Sequence, residues 1–288
     1  MVLRCQFPDS CCQRTTPTES RVIDVARVMK RQLQISAKNL GTLALDSFCP
    51  RCFWVRMMCG QLPFQRFPAI FASIDSYSKK VTMHHFLQYG RVPTWFDGFG
   101  ELGTPIPVPG WSKFQIIDPE TNIRLTGVPD EILRHTTRGI WIVDYKTARL
   151  TDNQDSLTPM YKVQLNCYGM IAQNIGIGSV YGLGLLYYEP VTDITNNERN
   201  LLIERDRFFL EFAPKLKPVN FEPNIVAPLL RQVREICDCS DSPPPRLDCR
   251  DCYLLDTLIR TARPGFIFLG EAVLQKPKPS RCKKGAWK

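Results

Sequence analysis

Residues 127–148, GVPDEILRHTTRGIWIVDYKTA, carry two aspartates and a lysine at a spacing that would let them share one spot. If residues 122–133 and 139–147 pair as an antiparallel hairpin turning through HTTRG, with the turn centred on Thr137, Asp130 falls opposite Asp144. Directly opposed side chains have Cβ atoms about 4.5–5.5 Å apart, and like charges there destabilise a sheet, so something cationic has to offset them. Strand alternation puts Asp144 and Lys146 on one face and Tyr145 on the other. Ile140 and Ile142 make the earlier part of that face apolar, which sets the carboxylates at the rim of a core. Two hard oxygen ligands that leave positions for water and phosphate suit Mg2+ or Mn2+ better than zinc. A metal held there can polarise a phosphodiester, activate a water and steady the leaving oxygen. Lys146 would stabilise charge growing on the phosphate or orient the water. The reaction type would be phosphodiester hydrolysis. The plainer alternative is that Asp130 ends a strand and Asp144–Lys146 is an exposed ion pair.

The elements around this stretch must position it. A G-x-x-D strand comes first, and a strongly apolar strand leads directly into Asp144. The segment LTPMYKVQLNCYGMIAQNIG then predicts a helix with Thr158 as N-cap, Pro159 in the first turn and Gly176 just past the end. It carries Gln164 and Tyr168 four apart, on one face. Upstream, residues 21–35 space apolar residues as an amphipathic helix, and FPAIFASIDSYSKKVTMHHFL is a second helix holding Asp75, His84 and His85. The Gly- and Pro-rich run GRVPTWFDGFGELGTPIPVPGW predicts a loop. Strands are expected at 113–118, at SVYGLGLLYYEP and, as a charged strand or pair, over 201–213. A helix is expected over about 223–236, and a short helix or turn at YLLDTLIR. The order β-β-β-α-β with helices before and after indicates an α/β domain around a mixed sheet.

At 288 residues, 44% of them apolar and 23% charged, the chain is long enough for one large core. No apolar run reaches the roughly 18 residues of a membrane span, and the start lacks a signal-peptide core, so the expected compartment is the cytosol and no membrane partner is expected. The net charge of +9 favours a polyanionic partner. The C-terminal KPKPSRCKKGAWK adds six cations and no acid, as a solvated tail or a nucleic-acid contact. Among twelve cysteines, Cys49 and Cys52 form CPRC, Cys249 and Cys252 form CRDC, and Cys237 and Cys239 form CDC. A reducing compartment argues for ligands rather than disulfides. Cys167 lies within an apolar helical pattern and is most simply a core residue.

Taken together, GVPD, IVDYKTA and YKVQLNCY resemble the RecB-like branch of the PD-(D/E)XK nuclease superfamily, which also includes CRISPR-associated adaptation nucleases. The resemblance covers about residues 47–255. It implies a restriction-endonuclease-like mixed sheet flanked by helices and a DNA substrate. It implies Asp130 and Asp144 as metal ligands, Tyr145 as a further ligand through its backbone carbonyl, and Lys146 as the catalytic lysine. Gln164 and Tyr168 would position the DNA backbone or support the lysine. The helix before the sheet would supply a further ligand from Asp75, His84 or His85, with Asp75 preferred because a carboxylate suits a hard cation.

Several nucleases of that branch carry an iron–sulfur cluster whose ligands, one cysteine from the front and three from the back, pin the two ends of the domain together; CPRC and CRDC resemble that arrangement but offer two pairs plus CDC. Cys49, Cys52, Cys249 and Cys252 would hold a [4Fe–4S] cluster or a structural Zn2+. A local zinc site from Cys237, Cys239, Cys249 and Cys252 is the alternative. The expected organisation is a disordered extension over 1–20, a nuclease domain over 21–270 that includes the cysteine groups at 49–52 and 237–252, and a basic tail over 271–288. The expected role is DNA cleavage in repair, recombination or defence. The competing readings are a non-catalytic zinc-ribbon nucleic-acid-binding protein and a degenerate nuclease within a larger complex.

Overall fold

The computed structural model describes residues 31–60, 62, 68–149, 156–192, 203–204 and 206–262. The expected extension at 1–20, most of the helix expected from residue 21 and the basic tail at 271–288 lie outside the described residues. No helix among the described residues is long and apolar enough to cross a membrane.

The chain opens with β1 (Leu33–Ser36) and a short α1 (Ala37–Gly41), followed by α2 (Pro50–Cys59) and α3 (Ala69–Tyr89). Strands β2 (Leu102–Ile106), β3 (Gln115–Asp118), β4 (Ile123–Thr126), β5 (Glu131–His135) and β6 (Gly139–Lys146) come next. Helix α4 (Thr158–Asn174) then connects β6 to β7 (Val180–Pro190). A small hairpin of β8 (Ile203–Glu204) and β9 (Arg207–Phe208) precedes β10 (Phe212–Val219), α5 (Val226–Cys237) and α6 (Arg250–Ala262). The central sheet has five strands in the order β10-β7-β6-β5-β2, with β6 and β7 parallel and the other neighbours antiparallel. A second sheet of three strands runs β1-β4-β3, in which β1 is parallel to β4. The mixed α/β architecture is therefore the expected one.

β6 lies inside the sheet with both faces covered, which suits its apolar and β-branched run. Ile140 and Ile142 face a core shared with Val163, Leu165 and Ile171 of α4 and with Leu230 and Val233 of α5. Trp141, Val143 and Tyr145 point the other way, onto Phe96 and Phe99 of a short 3-10 turn. The hairpin register is the one the sequence predicts: Glu131 pairs with Val143, Ile132 with Ile142 and Leu133 with Trp141. The ladder ends at Glu131, and one further position in the same register would set Asp130 opposite Asp144.

Several expectations need correction. The single strand expected over 122–133 is two strands in two sheets, broken at Gly127–Asp130. Pro129 has no N–H to give to a ladder, and a Cβ at Gly127 would lie 2.3 Å from Tyr168 Cε1, so the backbone there is pressed against a ring. Residues 33–35, expected to end a helix, lie in β1, because Leu33 and Ile35 alternate as well as they repeat and β4 is available to pair with them. The loop expected after α3 contains a 3-10 turn (Thr94–Phe99) and the edge strand β2. The α4 cap falls on Leu157, and Thr158 lies inside the first turn with its hydroxyl accepting from Lys217 Nζ at 3.0 Å. Gly176 does follow the helix in a left-handed conformation, at φ 78°.

Candidate active site

Asp144 continues the Ile140–Ile142 face of β6 and is only 4% exposed. A buried carboxylate has to be paired and hydrogen-bonded. Lys146, two residues along on the same face, forms an ion pair with its Oδ2, and Gln164 Nε2 donates to its Oδ1 at 3.2 Å. The same amide nitrogen donates to the Tyr168 hydroxyl at 2.8 Å, and the amide oxygen lies 3.5 Å from Lys146 Nζ. Gln164 thus ties the acid, the lysine and the tyrosine into one network. Tyr161, one turn earlier on α4, was not anticipated: Lys146 Nζ sits 4.1 Å from its ring centroid, within cation–π range.

Asp130 stands at the mouth of the hairpin, where the strand break leaves it. Continued register would put Pro129 opposite Tyr145, and the carboxylate occupies that gap: Asp130 Oδ2 accepts from the Tyr145 backbone N–H at 2.6 Å. Its Oδ1 lies 2.7 Å from Lys79 Nζ, and the same ammonium is 3.0 Å from Asp75 Oδ2. Burial, with the Asp144 charge adding to it, pushes the Asp130 carboxyl up to about 7 against the pull of Lys79. Burial also works against the Lys79 ammonium, but Asp130 and Asp75 outweigh it and its pKa rises. A divalent cation is the kind of group that lets both aspartates ionise together, and two hard carboxylates fit it.

On the opposite face Tyr145 carries its hydroxyl to 3.2 Å from both Thr82 Oγ1 of α3 and Glu131 Oε2. Burial pushes the Glu131 carboxyl up to about 7. The α3 candidates divide. Asp75 reaches the site only through Lys79, which no sequence motif marks. His85 is taken up by the Arg91 carbonyl oxygen at 3.0 Å and by the Tyr89 and Trp95 rings.

A second cluster lies apart from the hairpin. Cys49 caps α2, Cys52 sits in its first turn, Cys249 precedes α6 and Cys252 sits in its first turn. Their four sulfurs lie within 4.8 Å of one another, with Cys49–Cys252 at 3.6 Å, Cys52–Cys249 at 3.5 Å and Cys52–Cys252 at 3.3 Å. All four are free thiols. Hydrogen bonds from Cys252 and Cys52 push the Cys49 thiol strongly down, whereas the hydrogen bond to Cys252 pushes Cys52 up and the one to Cys49 pushes Cys252 up to about 12. Four thiols converging in this way are a donor set that a metal binds as thiolates. The Arg246 backbone N–H donates to Cys49 Sγ at 3.3 Å, and Arg51 forms a bidentate pair with Asp256 at 2.8 and 2.6 Å, joining α2 to α6. Among the described residues this quartet is the one group of three or more such side chains drawn together. The alternative set with Cys237 and Cys239 is not assembled, because Cys249 and Cys252 are committed to α2.

No curated protein matches the chain. A solved structure described as the crystal structure of SSO0001 is similar to it, with 14% sequence identity over 83% of this chain and 89% of that one, at a TM-score of 0.37. The family model of the PD-(D/E)XK nuclease superfamily matches residues 73–254. That span begins inside α3, takes in the hairpin, α4 and Gln164, and ends within α6, so the chain belongs to the PD-(D/E)XK nuclease superfamily.

Proposed function

We propose that the protein hydrolyses phosphodiester bonds of DNA with Mg2+ or Mn2+ held by Asp130, Asp144 and the backbone carbonyl of Tyr145. The observation that carries this is the Asp144–Lys146–Gln164–Tyr168 network at the mouth of a hairpin whose register brings Asp130 alongside. When bound, the metal supplies Lewis-acid polarisation of the phosphate and an acidified water. Lys146 supplies a positive charge beside the phosphate where negative charge grows, at a point fixed by Asp144, Gln164 and Tyr161. Gln164 keeps the Asp144 carboxylate and the Lys146 ammonium in register with each other. Tyr168 buttresses that amide from below and packs against Gly127. The net charge of +9 supports a polyanionic substrate. The cysteines at both ends of the nuclease region, with the Gln164–Tyr168 pair, support placement in the RecB-like branch.

The cysteine quartet is the proposed seat of a structural metal. Four thiolates on one zinc, each about 2.3 Å from it, are about 3.8 Å apart. In a [4Fe–4S] cluster each cysteine binds its own iron, so the sulfurs stand wider. The separations of 3.3–3.6 Å are nearer the single ion, which favours Zn2+ over the cluster. Metal analysis and a visible absorption spectrum of anaerobically purified protein distinguish the two.

The test of the active site is cleavage of linear and circular DNA with Mg2+, Mn2+ or EDTA. The wild type should cut only with a divalent ion. Asp144→Asn and Lys146→Met should each lower the rate by at least about a hundredfold while keeping the far-UV spectrum and the melting transition. Cleavage that persists in both variants would overturn the reading.

A further inference from the structure

Resting on the metal reading above, we infer that Lys79 is a built-in counter-cation, which holds Asp130 in the metal-free protein and competes with the incoming divalent ion, and that Asp75 sets the strength of that competition. The observations are geometric. Two mutually repelling aspartates in a hairpin each need a cation, and each has its own lysine: Lys146 on Asp144 and Lys79 on Asp130. Lys146 comes from the hairpin itself. Lys79 comes from α3, the helix expected to bring a metal-binding acid.

Asp130 has one oxygen committed to the Tyr145 N–H, and Lys79 sits on the other. A metal using that oxygen must displace or share the ammonium. Lys79 is free to yield, because its side chain is 38% exposed and Asp75, 41% exposed, stands 3.0 Å away as an alternative acceptor on the same helix. Asp75 therefore draws Lys79 off Asp130 and eases metal entry without touching the metal. Once displaced, the ammonium remains beside the site as a second positive charge for a substrate phosphate. Asp75 is a positioning residue here, acting through Lys79.

The roles separate in a binding experiment that does not require catalysis. Free Mn2+ is measured by electron paramagnetic resonance during titration of the full-length protein, without DNA. Removing the competitor, as in Lys79→Met, should tighten Mn2+ binding several-fold to about tenfold, the scale of one partly screened charge. Asp75→Asn should weaken it by a similar factor, because Lys79 then has Asp130 alone. In the Lys79→Met background, Asp75→Asn should change the affinity by less than about twofold, since its effect passes through the lysine.

A loss of affinity in Lys79→Met would overturn the inference by showing that the lysine only holds Asp130 in place. An equal loss from Asp75→Asn in both backgrounds would overturn it by making Asp75 a direct ligand. Asp144→Asn serves as the control for the underlying reading. If it abolishes Mn2+ uptake while Lys79→Met has no effect, the inference fails and the metal site stands. If the wild type takes up no Mn2+ that Asp144→Asn removes, both fail. Melting curves confirm that each variant is folded.

Discussion

A carboxyl group that is 4% exposed is tolerated in the interior only through its partners, and Asp144 has Lys146 and the Gln164 amide. Gln164 touches neither substrate nor metal in the proposed arrangement, so its loss should be felt through geometry. Gln164→Ala should lower the cleavage rate by about ten- to a hundredfold, the range for partners that orient ligands, and Gln164→Glu should not restore it, because a carboxylate cannot donate to Asp144. Single-turnover rates at saturating DNA check both. On the other side of β6, Glu131 is 6% exposed with its carboxyl raised to about 7. An acid whose folded pKa is raised holds a proton that the unfolded chain has already lost. Its stabilising contribution is therefore full below about 4.5, declines as pH rises through the window from about 4.5 to about 7, and is gone above it, a change on the order of 3 kcal/mol. Denaturant titrations should show Glu131→Gln flattening the stability profile across that window.

At the scale of elements, the hairpin is what brings the acids together, and its register was legible from the turn residues HTTRG, whose centre at Thr137 gives the observed pairing of Glu131 with Val143. The break before Asp130 was not legible. It depends on Gly127 meeting the Tyr168 ring from a helix about forty residues further on, a contact that no local pattern reveals. The same break explains why Asp130 can turn its carboxylate to the Tyr145 N–H instead of sitting in a ladder. Lys79 was invisible for a related reason: a lysine in the middle of a helix gives no sign that it faces an acid about fifty residues away. A Cβ at position 127 should force the ring aside, so Gly127→Ala should cost about 1–3 kcal/mol by overpacking. It should also lower cleavage, because Tyr168 holds Gln164. The double variant Gly127→Ala/Tyr168→Ala should cost less stability than the sum of its parts, as measured by urea midpoints. Additive losses would mean that the glycine is needed for the backbone path and not for the ring.

Across the whole molecule, the restriction-endonuclease-like sheet leaves the C-terminal part of the described chain weakly attached. Cys252 is the one buried residue of the thirteen in α6, while Tyr253, Leu258 and Ile259 are exposed. The Arg51–Asp256 pair is partly exposed at both ends and supplies at most about 1 kcal/mol. The cysteine quartet is different in kind, because a metal held there would cross-link positions 203 apart in sequence. Closing a loop of that length in advance removes about 5 kcal/mol of unfolded-chain entropy in the chain-entropy description. On these magnitudes a metal in the quartet, rather than the ion pair, would be the contact that holds α6, and the two C-x-x-C units were its signal in the sequence. Removing the metal with a strong chelator, or by Cys252→Ser, should lower the melting temperature by on the order of 10 °C. Arg51→Ala should lower it by only about 1–3 °C. Hydrogen exchange after chelation should show α6 losing protection first, with β5 and β6 nearly unchanged, because the sheet keeps its own core. If β6 amides open as early as those of α6, the quartet supports the sheet itself, and the cleavage site should fail along with it.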